Sequence, residues 1–226
     1  MSNDHDTINY RPLLKRYARY APRYDRRFAR YSAATLNKAL EIIPSNGERS
    51  LLDVACGTGI LVQLLHERRP QLRITGVDIT PQMLEQARRR VTEGNSVGWK
   101  LGHAEKLPVD DQQFDIVTCT NAFHLVQDAA AALREFHRVL RPGGTLVLVD
   151  WCLDYPQMRL FNLIQRIADH QKRNVRNLHE MVKLLGEAGF EVEESERFMP
   201  RALWGMMRTV ARKPGGIPAS HVAVMS

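Results

Sequence analysis

From residue 45 to residue 150 the chain alternates short apolar runs with stretches whose apolar positions recur every three or four residues. The run at 50–55 is almost wholly apolar around one acid, Asp53, and reads as a parallel strand buried on both faces. An amphipathic helix at about 59–69 follows it. Further strands are predicted at 72–77, ending at Asp78, and at 97–102, 114–119 and 145–150. After Asp78, Thr80 is placed as an N-cap and Pro81 at the first helical position, ahead of a buried stripe of Met83, Leu84, Ala87 and Val91. A helix at 129–140 packs through Leu133, Phe136, Val139 and Leu140, and 141–144 reads as a tight turn. Two more helices are predicted at about 156–171 and 178–188. The second has Asn177 as its cap, Glu180 three residues on, and Gly189 past its end. Segments 190–197 and 203–212 read as a closing antiparallel pair. Upstream, 8–43 is helical in two or three pieces. Pro22 interrupts it, and Ser32 restarts it as an N-cap before Ala33, Leu36, Leu40 and Ile43. Residues 44–47 are a turn cluster.

Strand and helix in alternation define a doubly wound α/β protein. The expected sheet has seven mostly parallel strands with an antiparallel last strand. In such sheets a ligand sits beyond the carboxyl ends of the strands, and the informative residues all fall there. Asp53 and Cys56-Gly57-Thr58-Gly59 close the first strand. A strand acid is costly unless something uses it, and a ligand with a cationic end is the fitting user. Glycine lets the backbone approach that ligand closely. Asp78 ends the second strand 19 residues after Gly59, where a carboxylate can accept both hydroxyls of a ribose.

The run Leu51-Leu52-Asp53-Val54-Ala55-Cys56-Gly57-Thr58-Gly59-Ile60 resembles the first motif of the class I S-adenosylmethionine-dependent methyltransferases, and by pattern the small ubiquinone/menaquinone-type domains. The resemblance is good over about 45–150. It implies a Rossmann-like fold, S-adenosylmethionine as cofactor with S-adenosylhomocysteine as product, and methyl transfer to O, N, S or C of a small molecule. It also implies that the glycine loop, through Cys56, Gly57, Gly59 and Asp53, wraps the methionine part of the cofactor, and that Ile79 packs on the adenine. In Gly102-His103-Ala104-Glu105 the family's usual acid is replaced by His103, whose neutral imidazole can still accept one bond. Ala104 would bond the ring through its N–H, with Glu105 beside it. The backbone around Asn121 is implied to hold the cofactor's amino group. Phe123 and His124 are implied to face the transfer centre, with His124 as the candidate general base. Trp151, Cys152 and Tyr155 are expected on the substrate side. Residues 1–44 are expected to form a helical lid on the domain at 45–213, touching the ligand through Tyr24 or Tyr20, with 214–226 a flexible tail.

Composition changes this picture little. The chain has 226 residues, 44% hydrophobic and 25% charged, which suits one globular domain. No apolar stretch reaches the ~20 residues of a membrane span, and the polar, acidic first residues are unlike a secretory signal. The three cysteines, at 56, 119 and 152, have neither metal nor disulfide spacing, so a reducing cytoplasm is the simplest location and no metal is expected. All three lie just past neighbouring strand ends, which raises the expectation of a thiol cluster and a thiol-sensitive site. Net charge is +7, of which 1–31 contribute +5, from eight Lys or Arg against three Asp. A solvated helical face explains that segment; a docking surface for a membrane or an anionic substrate is the sharper reading. No nucleic-acid motif is present, and oligomeric state is not legible.

Two other readings remain open at this level. A nicotinamide-dependent oxidoreductase also has a glycine turn and an acid after the second strand. Here, however, Val62 stands where the third glycine of that motif belongs, and Asp53 would face a pyrophosphate. A cofactor-binding partner without turnover rests on His103 alone.

Overall fold

Side chains alternate across a strand, and in β1 (Ser50–Val54) this sends Leu51 to one face of a sheet and Leu52 to the other. The computed structural model describes residues 9–43, 50–94, 96–168, 174–201 and 204–215. It sets β1 between β2 (Arg73–Asp78) and β4 (Phe114–Thr120), parallel to both. β3 (Val97–Leu101) and β5 (Leu140–Trp151) extend the parallel array on either side. β7 (Trp204–Arg212) lies antiparallel between β5 and β6 (Glu191–Arg201), so the seven-stranded order is β3-β2-β1-β4-β5-β7-β6. This is the doubly wound sheet with an antiparallel last strand that the pattern predicts.

Helices α3 (Ile60–Arg68) and α4 (Pro81–Arg90) cover one face, where Leu61, Leu65, Leu84 and Ala87 pack with Ile74 and Trp99. Val62 is fully buried there, in the place the oxidoreductase motif reserves for glycine. Helices α5 (Ala129–Val139) and α7 (Leu178–Glu187) cover the other face through Leu133, Phe136 and Leu185. Asn177 and Glu180 form the expected reciprocal cap: the Asn177 side chain accepts from the Glu180 N–H at 2.8 Å, and Glu180 accepts from the Asn177 N–H at 3.0 Å. Helix α6 (Pro156–Ala168) follows the end of β5.

Three local expectations are corrected. α1 (Arg11–Tyr20) does break at Pro22, but a 3₁₀ turn, Ala21–Arg23, absorbs the break, and α2 (Tyr24–Leu40) restarts at once. Ser32 is therefore a buried mid-helix residue, not a cap; its carbonyl accepts from Thr35 Oγ1 at 3.1 Å. Residues 141–144 belong to β5 as a bulge: Phe114 pairs with Leu140, but Ile116 pairs with Thr145. Gly143, at φ +79°, donates to Lys213 O at 2.9 Å, so the looped-out residues stay bonded to the chain leaving β7. Thr80 takes the N-cap backbone position of α4, but its side chain makes no cap bond. The turn predicted at 44–47, the end of the helix predicted at 156–171 and the tail beyond 215 lie outside the described residues.

Candidate functional site

The carboxyl ends of β1, β2, β3 and β4 open on one cavity, which is roofed by α1 and the start of α2. Its floor is the bend after β1. Ala55, Gly57 and Gly59 all have positive φ, at 57°, 56° and 77°. A Cβ on Gly57 would meet nothing within 4 Å, so this bare position fronts open space. Gly59 serves differently. A Cβ there would lie 2.7 Å from the Trp99 ring, and the residue does not border the cavity. Its bareness permits packing beneath the site, so its expected ligand contact is corrected to a structural one.

Asp78 borders the cavity and ties its walls together. One carboxylate oxygen accepts from the Gly57 N–H at 2.9 Å, the other from the Thr80 N–H at 2.8 Å. Burial pushes its pKa up, while these N–H groups pull it back. Ile79, His103, Ala104 and Asn121 also border the cavity, as their strand-end positions predict. Asn121 sits at φ +59° and is braced on both sides. Its Oδ1 accepts from Tyr31 Oη at 2.7 Å, and its Nδ2 donates to Thr35 Oγ1 at 2.8 Å. Tyr31 in turn accepts from Trp151 Nε1 at 2.8 Å.

Asp53 lies one layer below, 1% exposed, and does not border the cavity. Thr118 Oγ1 donates to it at 2.8 Å. Burial raises its pKa from 3.8 to about 7, with Thr118 opposing and Asp78 reinforcing the shift. The native state then binds more protons than the unfolded chain between those values, so Asp53 costs stability as pH rises through that window. Asp53→Asn should match the parent below pH 3.8 and exceed it at pH 8 by up to about 4 kcal/mol in urea unfolding. An equal or larger stability of the parent at pH 8 would refute this.

Glu105 does not border the cavity. Its Oε1 accepts from Tyr10 Oη and from the N–H groups of Gln127, at 3.2 Å, and Asp128, at 3.4 Å. It anchors the roof instead of facing a ligand. Of the two tyrosines expected in the lid, Tyr24 borders the cavity, whereas Tyr20 lies beneath Arg19 and Arg27. Tyr10, Leu13 and Tyr17 complete the roof. A second clasp was not visible in the sequence. Asp25 of α2 accepts from Thr58 Oγ1 at 2.5 Å and pairs with Arg90 of α4. Arg90 donates to Thr58 O at 2.8 Å.

His124 is buried beside the cavity wall rather than in it. Its Nδ1 lies 2.6 Å from Asp150 Oδ1, its backbone N–H donates to Asp150 Oδ2 at 2.5 Å, and its ring stacks on Trp151 at 4.0 Å. A carboxylate only accepts, so Nδ1 carries a proton and Nε2 is the ring nitrogen left facing away from Asp150. Phe123 packs in the core against Phe136, and Tyr155 packs over Gly205. Neither borders the cavity, nor does Trp151, which joins Phe161 and Trp204 in an aromatic cluster.

The thiols do not form one cluster. Cys56 packs at the edge of the α3–α4 face; Cys119 and Cys152 lie in the core of the other. Burial pushes Cys56 and Cys119 well above the ordinary thiol range and Cys152 to about 11. None is a poised thiolate, so the thiol-sensitive site is not supported.

An acid after β2, a glycine bend after β1 and a cavity between them define a nucleoside-binding α/β protein. The family described as a methyltransferase domain matches residues 52–148. The demethylmenaquinone methyltransferase of Thermus thermophilus is 35% identical over 156 residues, 67% of this chain and 70% of that protein. The demethylmenaquinone methyltransferase of Deinococcus radiodurans is 39% identical over 165 residues, 67% of this chain and 64% of that protein. The chain thus spans somewhat less than two thirds of the latter. In structure, an S-adenosylmethionine-dependent methyltransferase from Mesorhizobium loti superposes with a TM-score of 0.68 at 21% identity, over 81% of this chain and 99% of that one. The chain belongs to the methyltransferase family, and the cofactor its first motif implies is S-adenosylmethionine.

The residues present fit that cofactor. Asp78 offers two carboxylate oxygens to a ribose, and Gly57 leaves open the space a side chain would fill. Ile79, Met83, Leu125 and Val126 supply an apolar wall for a purine.

Proposed function

We propose that this protein methylates a small, planar, largely apolar acceptor of the quinol class, at carbon, in the cytoplasm. The observation that carries the reading is the cavity bounded by Gly57, Asp78 and the tyrosine roof, in a chain related to demethylmenaquinone methyltransferases. When bound, the cofactor supplies an electrophilic methyl group on a sulfonium. Asp78 holds the ribose, Ile79 and Ala104 seat the base, and His103 accepts from it. Asn121, fixed by Tyr31 and Thr35, sets the loop facing the transfer centre. The helical residues from Arg11 to Leu40 act as the lid on the sheet domain and keep water from the site. Holding the partners in line is worth roughly 7–11 kcal/mol.

His124, held by Asp150 in the wall beside the cavity, is the candidate base: once that wall shifts to admit an acceptor, Nε2 would take its hydroxyl proton and so raise electron density at the ring carbon. Trp151 keeps the imidazole in plane. The free cysteines fit a reducing compartment. The test is calorimetry with S-adenosylmethionine, then mass spectrometry after incubation with labelled-methyl cofactor and a panel of demethylated naphthoquinols, benzoquinols, phenols and amines. Label in a quinol ring supports the reading; label only in an amine or phenol refutes it. His124→Ala should lower kcat ~10²–10⁴-fold with little change in cofactor affinity. A loss under about tenfold would remove the base role.

A further inference from the structure

Helix α6 is apolar on both sides. Met158 and Asn162 are buried against the body, and Phe161 meets Trp151 and Trp204 at 5.4 and 5.2 Å. The opposite side carries Leu160, Leu163 and Ile164, which are 61%, 55% and 52% exposed. Met199 of β6, 53% exposed, extends them; its sulfur lies 3.5 Å from Gln157 Nε2, one turn before Leu160. Single exposed aliphatics are ordinary, but an adjacent group on one helix face marks an interaction surface.

That patch is joined to a charged one. Trp204, which packs on Phe161, also packs on Tyr31 of α2 at 5.5 Å. Preceding turns of the same segment expose Arg11, Lys15, Arg19, Arg23, Arg26 and Arg27. None of the six has a carboxylate partner among the described residues. Neither α1 nor α6 contains an acid, and the side chain of Asp25, the acid of the first turn of α2, is 41% exposed but already engaged by Thr58 and Arg90.

Aliphatic anchors beside six exposed cations without carboxylate partners match an anionic bilayer. A second copy would oppose cation to cation on a chain of net charge +7. A nucleic acid would leave the aliphatic group without a role. We propose that α6 and the exposed face of α1–α2 dock together on an anionic lipid surface. Leu160, Leu163 and Ile164 enter the headgroup–acyl boundary while the arginines meet lipid phosphates. This goes beyond the proposed reaction and does not depend on it, although it suits an acceptor dissolved in lipid.

The test is co-sedimentation of the full chain with vesicles of equal parts phosphatidylglycerol and phosphatidylcholine, against vesicles of phosphatidylcholine alone. The parent should bind the mixed vesicles at least about tenfold more tightly. Leu160→Ser/Leu163→Ser/Ile164→Ser and, separately, Arg23→Glu/Arg26→Glu should each weaken that binding by at least about tenfold, with thermal unfolding unchanged. Because the readout involves no methyl transfer, an inactive but vesicle-binding protein would sink the reaction and leave this proposal standing. Absence of vesicle binding by the parent would overturn it, as would variants that bind like the parent. So would a concentration-dependent dimer, without vesicle binding, that the aliphatic variant abolishes.

Discussion

Asp78→Ala should weaken binding of S-adenosylmethionine and S-adenosylhomocysteine at least about 100-fold in calorimetry. A hydrogen bond to a charged group is worth about 1.5–3 kcal/mol, and in the proposed site the carboxylate would offer one oxygen to each ribose hydroxyl. Two such bonds make about 3 kcal/mol or more, which is about two decades of affinity. The same oxygens satisfy the Gly57 and Thr80 N–H groups across the mouth of the cavity. Thermal unfolding of the variant should therefore be measured alongside, and Asp78→Asn, which keeps one acceptor, should fall between parent and alanine. Affinity within about fivefold of the parent, from folded protein, would place the nucleoside elsewhere.

The second large effect is on stability. Gly59→Ala puts a methyl 2.7 Å from Trp99 Cη2 and 3.0 Å from the Ala87 Cβ, at a φ of +77°. The left-handed backbone costs an alanine about 1–2 kcal/mol and overpacking about 1–3, so the variant should unfold about 2–5 kcal/mol more easily in urea. Gly57→Ala carries only the backbone cost, because nothing lies within 4 Å of its Cβ, yet it should lose cofactor affinity. Two glycines in one motif are thus expected to fail in different assays. Equal stability losses in the two variants would contradict this division.

The strand and helix pattern was legible because each element is periodic in its own sequence. β1 shows no polar face since Leu51 and Leu52 feed opposite cores, and the Asn177–Glu180 cap is a purely local code. That Asp78 and Gly57 border the cavity was legible for the same reason: a strand end and its turn are neighbours in the chain. What failed depended on distant contacts. The roles of Gly59 and Glu105 are set by Trp99 and by Tyr10, and no spacing rule reports those partners. The Asp25–Thr58–Arg90 clasp joins residues from three elements, so its acid reads in sequence as an ordinary first-turn helix residue. Ser32 had the right residue type for a cap, but the turn at Pro22 had already restarted the helix. Phe123 shares its segment with His124, yet packs inward against Phe136.

Thr58 is held from above by Asp25 and from the side by Arg90, so one threonine belongs both to the bend under the ligand and to the cover over it. Were discharge of a spent nucleoside to require those bonds to part, that parting would repeat in every catalytic cycle. A first turnover that outruns all later ones, seen as a pre-steady-state burst of methylated product, is the kinetic signature such a fastening imposes.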